Sequence, residues 1–192
     1  MRVTQLCPNC SKVSELGKFC KNCKKGSLSG LIVATYYEEP ISQLIHGFKY
    51  RFIRELAPVL ADLTLPNLEK LKTQYNDFII VPVPLHRSRY AWRGFNQSEE
   101  IGKVLAKKLF VDLKKPLVRI KSTTPQVELK REKRLKNPHG AFRATNSGEV
   151  KNKTVLLVDD IATTLATLEE CAGVLKAAGA KRVWGLVVAR GK

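Results

Sequence analysis

The sequence predicts an α/β fold: a parallel sheet flanked by helices, with a small zinc-binding module at the N-terminus. Three observations carry this. Thr154–Val158 (TVLLV), a helical face and Val183–Ala189 follow one another as strand, helix and strand, a parallel unit with a right-handed crossover. Phe78–Val83 (FIIVPV) is a continuous apolar run of the kind found in central parallel strands. Cys7, Cys10, Cys20 and Cys23 form two C-x-x-C pairs in a leading segment, residues 1–29, that is poor in large apolar residues.

From Leu31 the character changes. LIVATYYE reads as a strand of β-branched and aromatic residues. In RFIRELAPVLADL, Ile53, Leu56, Leu60 and Leu63 have helical spacing, with Pro58 near the first turn. The apolar strand 78–83 leads into an arginine-rich loop, HRSRYAWRGFNQS. A helix follows on the face Ile101, Val104, Leu105 and Leu109, with Asn96 or Ser98 as its cap. Pro116–Ile120 reads as a short strand, and residues 121–143 as a polar, strongly basic loop. After Thr154–Val158, the residues Leu165, Leu168, Ala172, Leu175 and Ala178 form one helical face closed by Gly179. The expected division is a module at 1–29 and a domain at 30–192, the latter with a hood at about 30–60 and a basic flexible loop at about 121–143.

The chain of 192 residues suffices for one such domain plus an appendage. Lys and Arg total 34 against 17 acidic residues, a formal charge of +17, which favours polyanionic partners. Apolar runs are strand-sized, short of the roughly 20 residues of a membrane span, and MRVTQLCPNC has no apolar signal core. The expected location is the cytoplasm, where thiols stay reduced and free for metal.

Each C-x-x-C delivers two sulfurs on one tight turn, and two such turns offer the tetrahedral thiolate set that Zn²⁺ prefers. Four protein ligands leave no open position, so the zinc is expected to be structural. Cys171 falls on the apolar face of the last helix and reads as a core residue. His46, His86 and His139 show no metal spacing.

The densest chemical signal is TVLLVDDIATTLATL. An apolar strand ends in Asp159 and Asp160, a loop of small hydroxylated residues follows, and a helix begins. Unpaired N–H groups at a helix N-terminus attract anions, and Thr163, Thr164 and Thr167 add hydroxyl donors. Two carboxylates beside a phosphate make sense if they take sugar hydroxyls or face Mg²⁺. No G-x-x-x-x-G-K-[ST] or G-x-G-x-x-G is present, which excludes a Walker-type or dinucleotide fingerprint. A phospho-acceptor aspartate and an ordinary Asp/Thr helix cap remain the competing readings.

VLLVDDIATTLATL resembles the phosphoribosyl pyrophosphate (PRPP) motif of type I phosphoribosyltransferases. With CPNC…CKNC, VPVPLHRSRYAWRGFNQS and the later Gln126, Arg131 and Asn137-x-x-Gly140-Ala141-Phe142 pattern, the chain is similar to the ComF/ComFC family of competence proteins over nearly its whole length. The resemblance implies a type I phosphoribosyltransferase-like domain and a part in natural transformation, in which single-stranded DNA enters the cytosol. It implies Asp159 and Asp160 as the pair contacting the ribose hydroxyls and central to catalysis. Ala162, Thr163, Thr164, Leu165, Ala166 and Thr167 would wrap the 5-phosphate. The turn with Pro84 and Leu85, with His86 and Arg87 nearby, would face pyrophosphate. Lys121 and Arg131 would belong to the lid, and Lys49 and Tyr50 to the hood over the acceptor. Leu165 departs from the family, which usually has glycine there.

Two stretches carry cations without a fixed role. Residues 121–143 hold Lys121, Lys130, Arg131, Lys133, Arg134, Lys136 and Arg143, suited to a lid over pyrophosphate, a nucleic-acid backbone track or a solvated loop. Arg87, Arg89, Trp92 and Arg93, with Tyr90 and Phe95, interleave cations with aromatics, suited to stacking bases; core packing is the alternative for Trp92 and Phe95. The candidate DNA contacts are therefore Arg87, Arg89, Trp92, Arg93, Lys130, Arg131, Lys133 and Arg134. Three functions stay open: a Mg²⁺-dependent phosphoribosyltransferase acting on PRPP or a ribose 5-phosphate ligand, a non-catalytic single-stranded-DNA-binding module, and a PRPP-responsive regulator. The first two are compatible, and other proteins of the DNA-uptake machinery are expected partners.

Overall fold

In this computed structural model the described residues are 3–23, 26–75, 77–122 and 139–191. Lys130, Arg131, Lys133, Arg134 and most of the segment 121–143, with Gln126 and Asn137, lie outside them. The apolar runs form strands and the amphipathic runs helices. In chain order they are β1 (Gly30–Tyr36), α1 (Ile41–Tyr50), α2 (Leu56–Asp62), α3 (Leu65–Gln74), β2 (Phe78–Pro82), α4 (Arg87–Arg93) and α5 (Gln97–Leu109). Then come β3 (Leu117–Arg119), β4 (Phe142–Ala144), β5 (Thr154–Ala162), α6 (Ala166–Ala177) and β6 (Arg182–Arg190).

Four strands make a parallel sheet in the order β1-β6-β5-β2, with β5 and β6 at its centre. Beyond β2, the Ile80 N–H donates to Asp112 O (2.8 Å) and Ile80 O accepts from the Lys114 N–H (2.9 Å). β3 and β4 pair antiparallel as a separate ribbon. One face of the sheet, through Ile80, Leu156, Val158 and Leu186, packs on α1, α2, α3 and α5 through Phe48, Leu60, Leu68, Ile101 and Leu105. The other, through Ile79, Val155, Leu157 and Val187, packs on α6 and the ribbon through Leu168, Cys171, Leu175, Leu117 and Phe142. Cys171 is fully buried there. No helix among the described residues is long and apolar enough to cross a membrane.

Several expectations are corrected. β5 does not end in the two aspartates but runs through them to Ala162, because β6 continues beside it and supplies ladder partners as far as Arg190. HRSRYAWR is helix α4, not loop: His86 Nδ1 accepts from the Ser88 N–H (3.3 Å) at its start, and Gly94 ends it at φ 77° with its N–H on Tyr90 O. α4 buries no residue, so it has no apolar stripe to announce it. The helix predicted over 51–63 begins only at Leu56, with Pro58 in the first turn, where its missing N–H costs nothing. α1 was not predicted, and β1, assigned to the hood, is an edge strand of the main sheet. Asn96, not Ser98, caps α5, its Oδ1 accepting from the Ser98 N–H (3.2 Å).

The leading segment lies against β1. The Gln5 side chain takes both the N–H and the C=O of Val33 (2.9 Å each), imitating a neighbouring strand. Leu16 is buried within the core of the helical face. Gly17, at φ 68°, touches β1 so closely that a Cβ would collide with Leu31 O.

Candidate functional site

Ligands of open α/β sheets bind at the carboxyl ends of the strands, and that end of β5 and β2 opens into a cavity of about 620 Å³. Its floor is Asp159–Ala162, and Thr163, Thr164 and Thr167 form one wall. The Thr164 hydroxyl oxygen is buried and has no hydrogen-bond partner among the described residues. The turn bends at 163–165 and α6 begins at Ala166. Leu165 sits at φ −80°, a conformation open to any residue, so this backbone needs no glycine. Glu169, the acid in the first turn of α6, is held away from that end by the N–H groups of Ser27 (2.6 Å) and Leu28 (3.3 Å).

Strand alternation separates the two aspartates. Asp160 continues the series Leu156, Val158 toward α1, where its Oδ2 lies 2.8 Å from Lys49 Nζ. Its Oδ1 accepts from the Ile161 N–H (2.8 Å). Asp159 continues Val155 and Leu157. Its Oδ1 accepts from Ser98 Oγ and from the Asp160 N–H, 2.9 Å each. Burial, then the neighbouring Asp160 charge, push the Asp159 carboxyl up to about 7, with Lys49 and Ser98 opposing.

Cations line the rest. Arg89 and Arg93 come from α4, Arg119 from β3, beside the Pro84–Leu85 turn. Burial lowers the pKa of the Arg119 guanidinium, and Arg89 lowers it further, so like charges converge on one space that an anion would relieve. Burial also lowers that of Arg93, while Asp160 supports its charge.

Most of the predicted site therefore converges: Lys49, Tyr50, Pro84, Leu85, Arg89, Trp92, Arg93, the aspartate pair, Ala162 and the three threonines all line the cavity. His86, Arg87, Lys121, Leu165 and Ala166 do not; Lys121 Nζ reaches His139 O (3.4 Å) instead. Sequence reasoning missed Tyr37, Gln97, Ser98 and Arg119. Gln97 and Ser98 both stand inside the RGFNQS motif, which carries part of the family resemblance, and there only Ser98 has a reading of its own, as a candidate helix cap. Nothing in the sequence pointed to Arg119. The aromatic pair divides: Phe95 is core, against Phe48 at 5.4 Å, whereas Trp92 is 59% exposed.

Away from the cavity, the sulfurs of Cys7, Cys10, Cys20 and Cys23 all lie within 4.8 Å of one another, an arrangement able to hold a metal ion. Burial raises the Cys7 thiol, but N–H groups of Cys10, Cys20 and Asn9 outweigh it and bring it down to about 6. Crowding by Cys20 and Cys10 pushes Cys23 up to about 12, charge that a cation would neutralise.

Residues 96–192 match the phosphoribosyl transferase domain family. Among solved structures, the chain is similar to the allosteric regulatory enzyme of purine biosynthesis (TM-score 0.41, 18% identity, 70% of this chain but only 25% of that one). It is also similar to a hypoxanthine phosphoribosyltransferase from Staphylococcus aureus (TM-score 0.39, 14% identity, 70% of this chain and 62% of that one). Among sequences, it is 32% identical to Competence protein F of Haemophilus influenzae and 32% identical to DNA utilization protein YhgH of Escherichia coli, in both cases over 94% of this chain and 83% of the relative. Competence protein ComFC of Streptococcus pneumoniae is 33% identical over 92% of this chain and 77% of the relative. With the four-cysteine cluster, the parallel sheet and this identity along nearly its whole length, the chain belongs to the ComF/ComFC family and carries a phosphoribosyl transferase domain.

Proposed function

We propose that the protein acts in DNA uptake in the cytoplasm, binding PRPP or ribose 5-phosphate in the cavity, contacting single-stranded DNA, and transferring a phosphoribosyl group. The single observation that carries the reading is the convergence of an acidic pair, a hydroxyl-lined helix N-terminus and a cluster of arginines in one cavity. Asp159 and Asp160 accept the ribose hydroxyls. The turn at Thr163–Thr167 holds the 5-phosphate with backbone N–H groups and hydroxyls, the buried Thr164 oxygen among them. Arg89 and Arg119, rather than His86 and Arg87, take the pyrophosphate beside Pro84 and Leu85. Lys121 and Arg131 belong to a basic lid.

The carboxylates are hard oxygen donors and fit Mg²⁺, which when bound would neutralise pyrophosphate charge. In the transfer, the C1–O bond breaks with its electron pair leaving on pyrophosphate. The acceptor's lone pair then bonds C1, and the acceptor gives up a proton. The arginines stabilise the leaving charge, and the aspartates the positive charge growing on the ribose.

Incubation with PRPP and Mg²⁺, with and without single-stranded DNA or nucleobases, should release pyrophosphate in an acceptor-dependent manner. Stabilisation by PRPP without release would leave the PRPP-responsive regulator as the function. Neither would leave the non-catalytic DNA-binding module.

DNA contact is supported by the charge of +17 and by α4, whose Arg87, Tyr90 and Trp92 are exposed. Arg89, Arg93, Lys130, Arg131, Lys133 and Arg134 complete the proposed track. Affinity for single-stranded DNA should fall steeply with salt, with a log–log slope of about −0.7 per phosphate neutralised. Neutralising Lys130, Arg131, Lys133 and Arg134 together should flatten the slope. Trp92→Ala should weaken binding at an unchanged slope, since stacking releases few ions. Salt-independent binding would remove nucleic acid from the function.

The N-terminal segment, 1–29, is proposed as a structural zinc module on a 30–192 transferase domain. Tetrahedral Zn–S bonds of about 2.3 Å place sulfurs about 3.8 Å apart, and the Cys10–Cys20 and Cys20–Cys23 separations are 3.6 and 3.2 Å.

A further inference from the structure

Glu169 joins two regions that the scheme above treats separately. Its N–H donates to Leu165 O (2.8 Å), which closes the first turn of α6 on the bend at 163–165. Thr167, two residues earlier, lines the cavity. Its carboxylate points the other way, where Oε2 accepts from the N–H groups of Ser27 (2.6 Å) and Leu28 (3.3 Å). Ser27 and Leu28 stand only four and five residues after Cys23.

This clasp is close-fitting. A Cβ on Gly26 would stand 2.3 Å from Glu169 Oε2, so a side chain there would push the carboxylate off. Leu28 is buried in the same core as Leu168, and the Ser29 N–H continues the strap onto Val183 O of β6 (2.7 Å). A carboxylate in the first turn of a helix is drawn to the positive N-terminal end, which is the end proposed to hold the 5-phosphate. Held by two N–H groups of the strap, Glu169 leaves that end to the ligand. Released, it competes with phosphate for the same N–H groups and repels it by like charge. The strap's order depends in turn on the cysteine cluster, because a bound metal fixes the chain at Cys20 and Cys23.

We infer that Glu169 is the link by which the cysteine cluster regulates the cavity. Metal in the cluster orders residues 26–28, these draw the Glu169 carboxylate off the phosphate turn, and affinity for a ribose 5-phosphate ligand rises. Such coupling is reciprocal, so the ligand tightens the metal by the same factor. The inference rests on the reading of the cavity as a ribose 5-phosphate site and of the cluster as a zinc site.

The test titrates the zinc-loaded whole protein with a competing chelator, with and without saturating ribose 5-phosphate, and reads zinc release. The sugar phosphate should raise the affinity for zinc at least about fivefold, and calorimetry of ribose 5-phosphate on zinc-loaded and chelator-treated protein should give the same factor. In Glu169→Ala, which has no carboxylate to hold or release, both effects should fall below about twofold. Gly26→Ala keeps the carboxylate but opens the clasp, and with zinc in place it should bind ribose 5-phosphate more weakly than the unaltered protein. Zinc affinity indifferent to ribose 5-phosphate that does bind the unaltered protein overturns this inference alone. An effect of full size in Glu169→Ala, or undiminished affinity in Gly26→Ala, removes Glu169 from it. Failure of ribose 5-phosphate to bind the zinc-loaded protein overturns the reading of the cavity, and this inference with it.

Discussion

Replacing Asp159 and Asp160 together with alanine is expected to abolish the rise in Tm that PRPP and Mg²⁺ produce in the unaltered protein. A ligand that binds only the native state stabilises it by mass action, so the shift reports occupancy directly. The two carboxylates are the acceptors on the cavity floor proposed to take the ribose hydroxyls. Without them the threonine turn and the arginines can still attract phosphate, but nothing orients the sugar. A shift of equal size in the double variant would place the ligand elsewhere.

The pair also sets a pH dependence with a definite sign. The Asp159 carboxyl stands at about 7 in the folded protein, chiefly through burial and then through Asp160, against about 3.9 in an unfolded chain. Its folded value is raised, so its favourable share of stability is complete below about pH 4 and is lost as pH rises through about 7. The Tm of the free protein should therefore decline from this group across that window. Asp159→Asn should flatten the decline and raise Tm near pH 8. Binding of PRPP should run the other way, strengthening as pH rises through about 7, because ribose hydroxyls donate to the ionised carboxylate. A PRPP affinity indifferent to pH between 6 and 8 would detach Asp159 from the ligand.

How much of this was legible in the sequence depends on where each signal comes from. β5, α6 and β6 were readable because burial on both sides of a central strand demands an unbroken apolar run, and Leu168, Ala172 and Leu175 keep a helical stripe. The threonine turn and aspartate pair were readable because their chemistry is local to one segment. α1 carries Ile41, Leu44, Ile45 and Phe48 at helical spacing. However, it starts at Pro40 without a side-chain cap, and Gly47 weakens the signal. α4 has no apolar face at all and is defined by its ends, His86 and Gly94. The cavity's other wall is a tertiary product. Arg119 belongs to a three-residue strand whose side chains have no pattern, and it reaches the site because β3 pairs with β4, a strand from beyond the basic segment. Ser98 reads as a helix cap until its hydroxyl is seen on Asp159. At Leu165 the observed angle, φ −80°, is one that any residue adopts, so the conformation of the turn does not itself call for the glycine usual in the family.

The second large effect concerns the cysteines. Purified protein should contain about one Zn²⁺ per chain, and Cys7→Ser with Cys10→Ser should release it. Structural zinc contributes about 10–16 kcal/mol in small modules, more than the whole stability of many domains. The leading segment has little core of its own, so it should unfold when the metal leaves. The α/β domain, which has apolar strands of its own, should survive that change. The structure argues for a measurable cost, because Leu16 is buried in the main core and Gln5 occupies both polar groups of Val33 on the edge strand. Losing that apolar burial and those hydrogen bonds should remove about 2–4 kcal/mol from the domain and lower its Tm by about 5–15 °C. It also uncovers the edge of β1, whose unpaired N–H and C=O groups invite pairing with another chain, so the variant should aggregate more readily. The domain should nonetheless keep its sheet, since β5 is paired on both sides by β2 and β6, and helices cover both faces. Acid should mimic the substitution: zinc needs thiolates, so falling pH reprotonates them and releases the metal. Metal analysis finding no zinc in freshly purified protein would overturn the module's assignment. Zinc loss with an unchanged Tm would show that the contacts of Gln5 and Leu16 carry no stability.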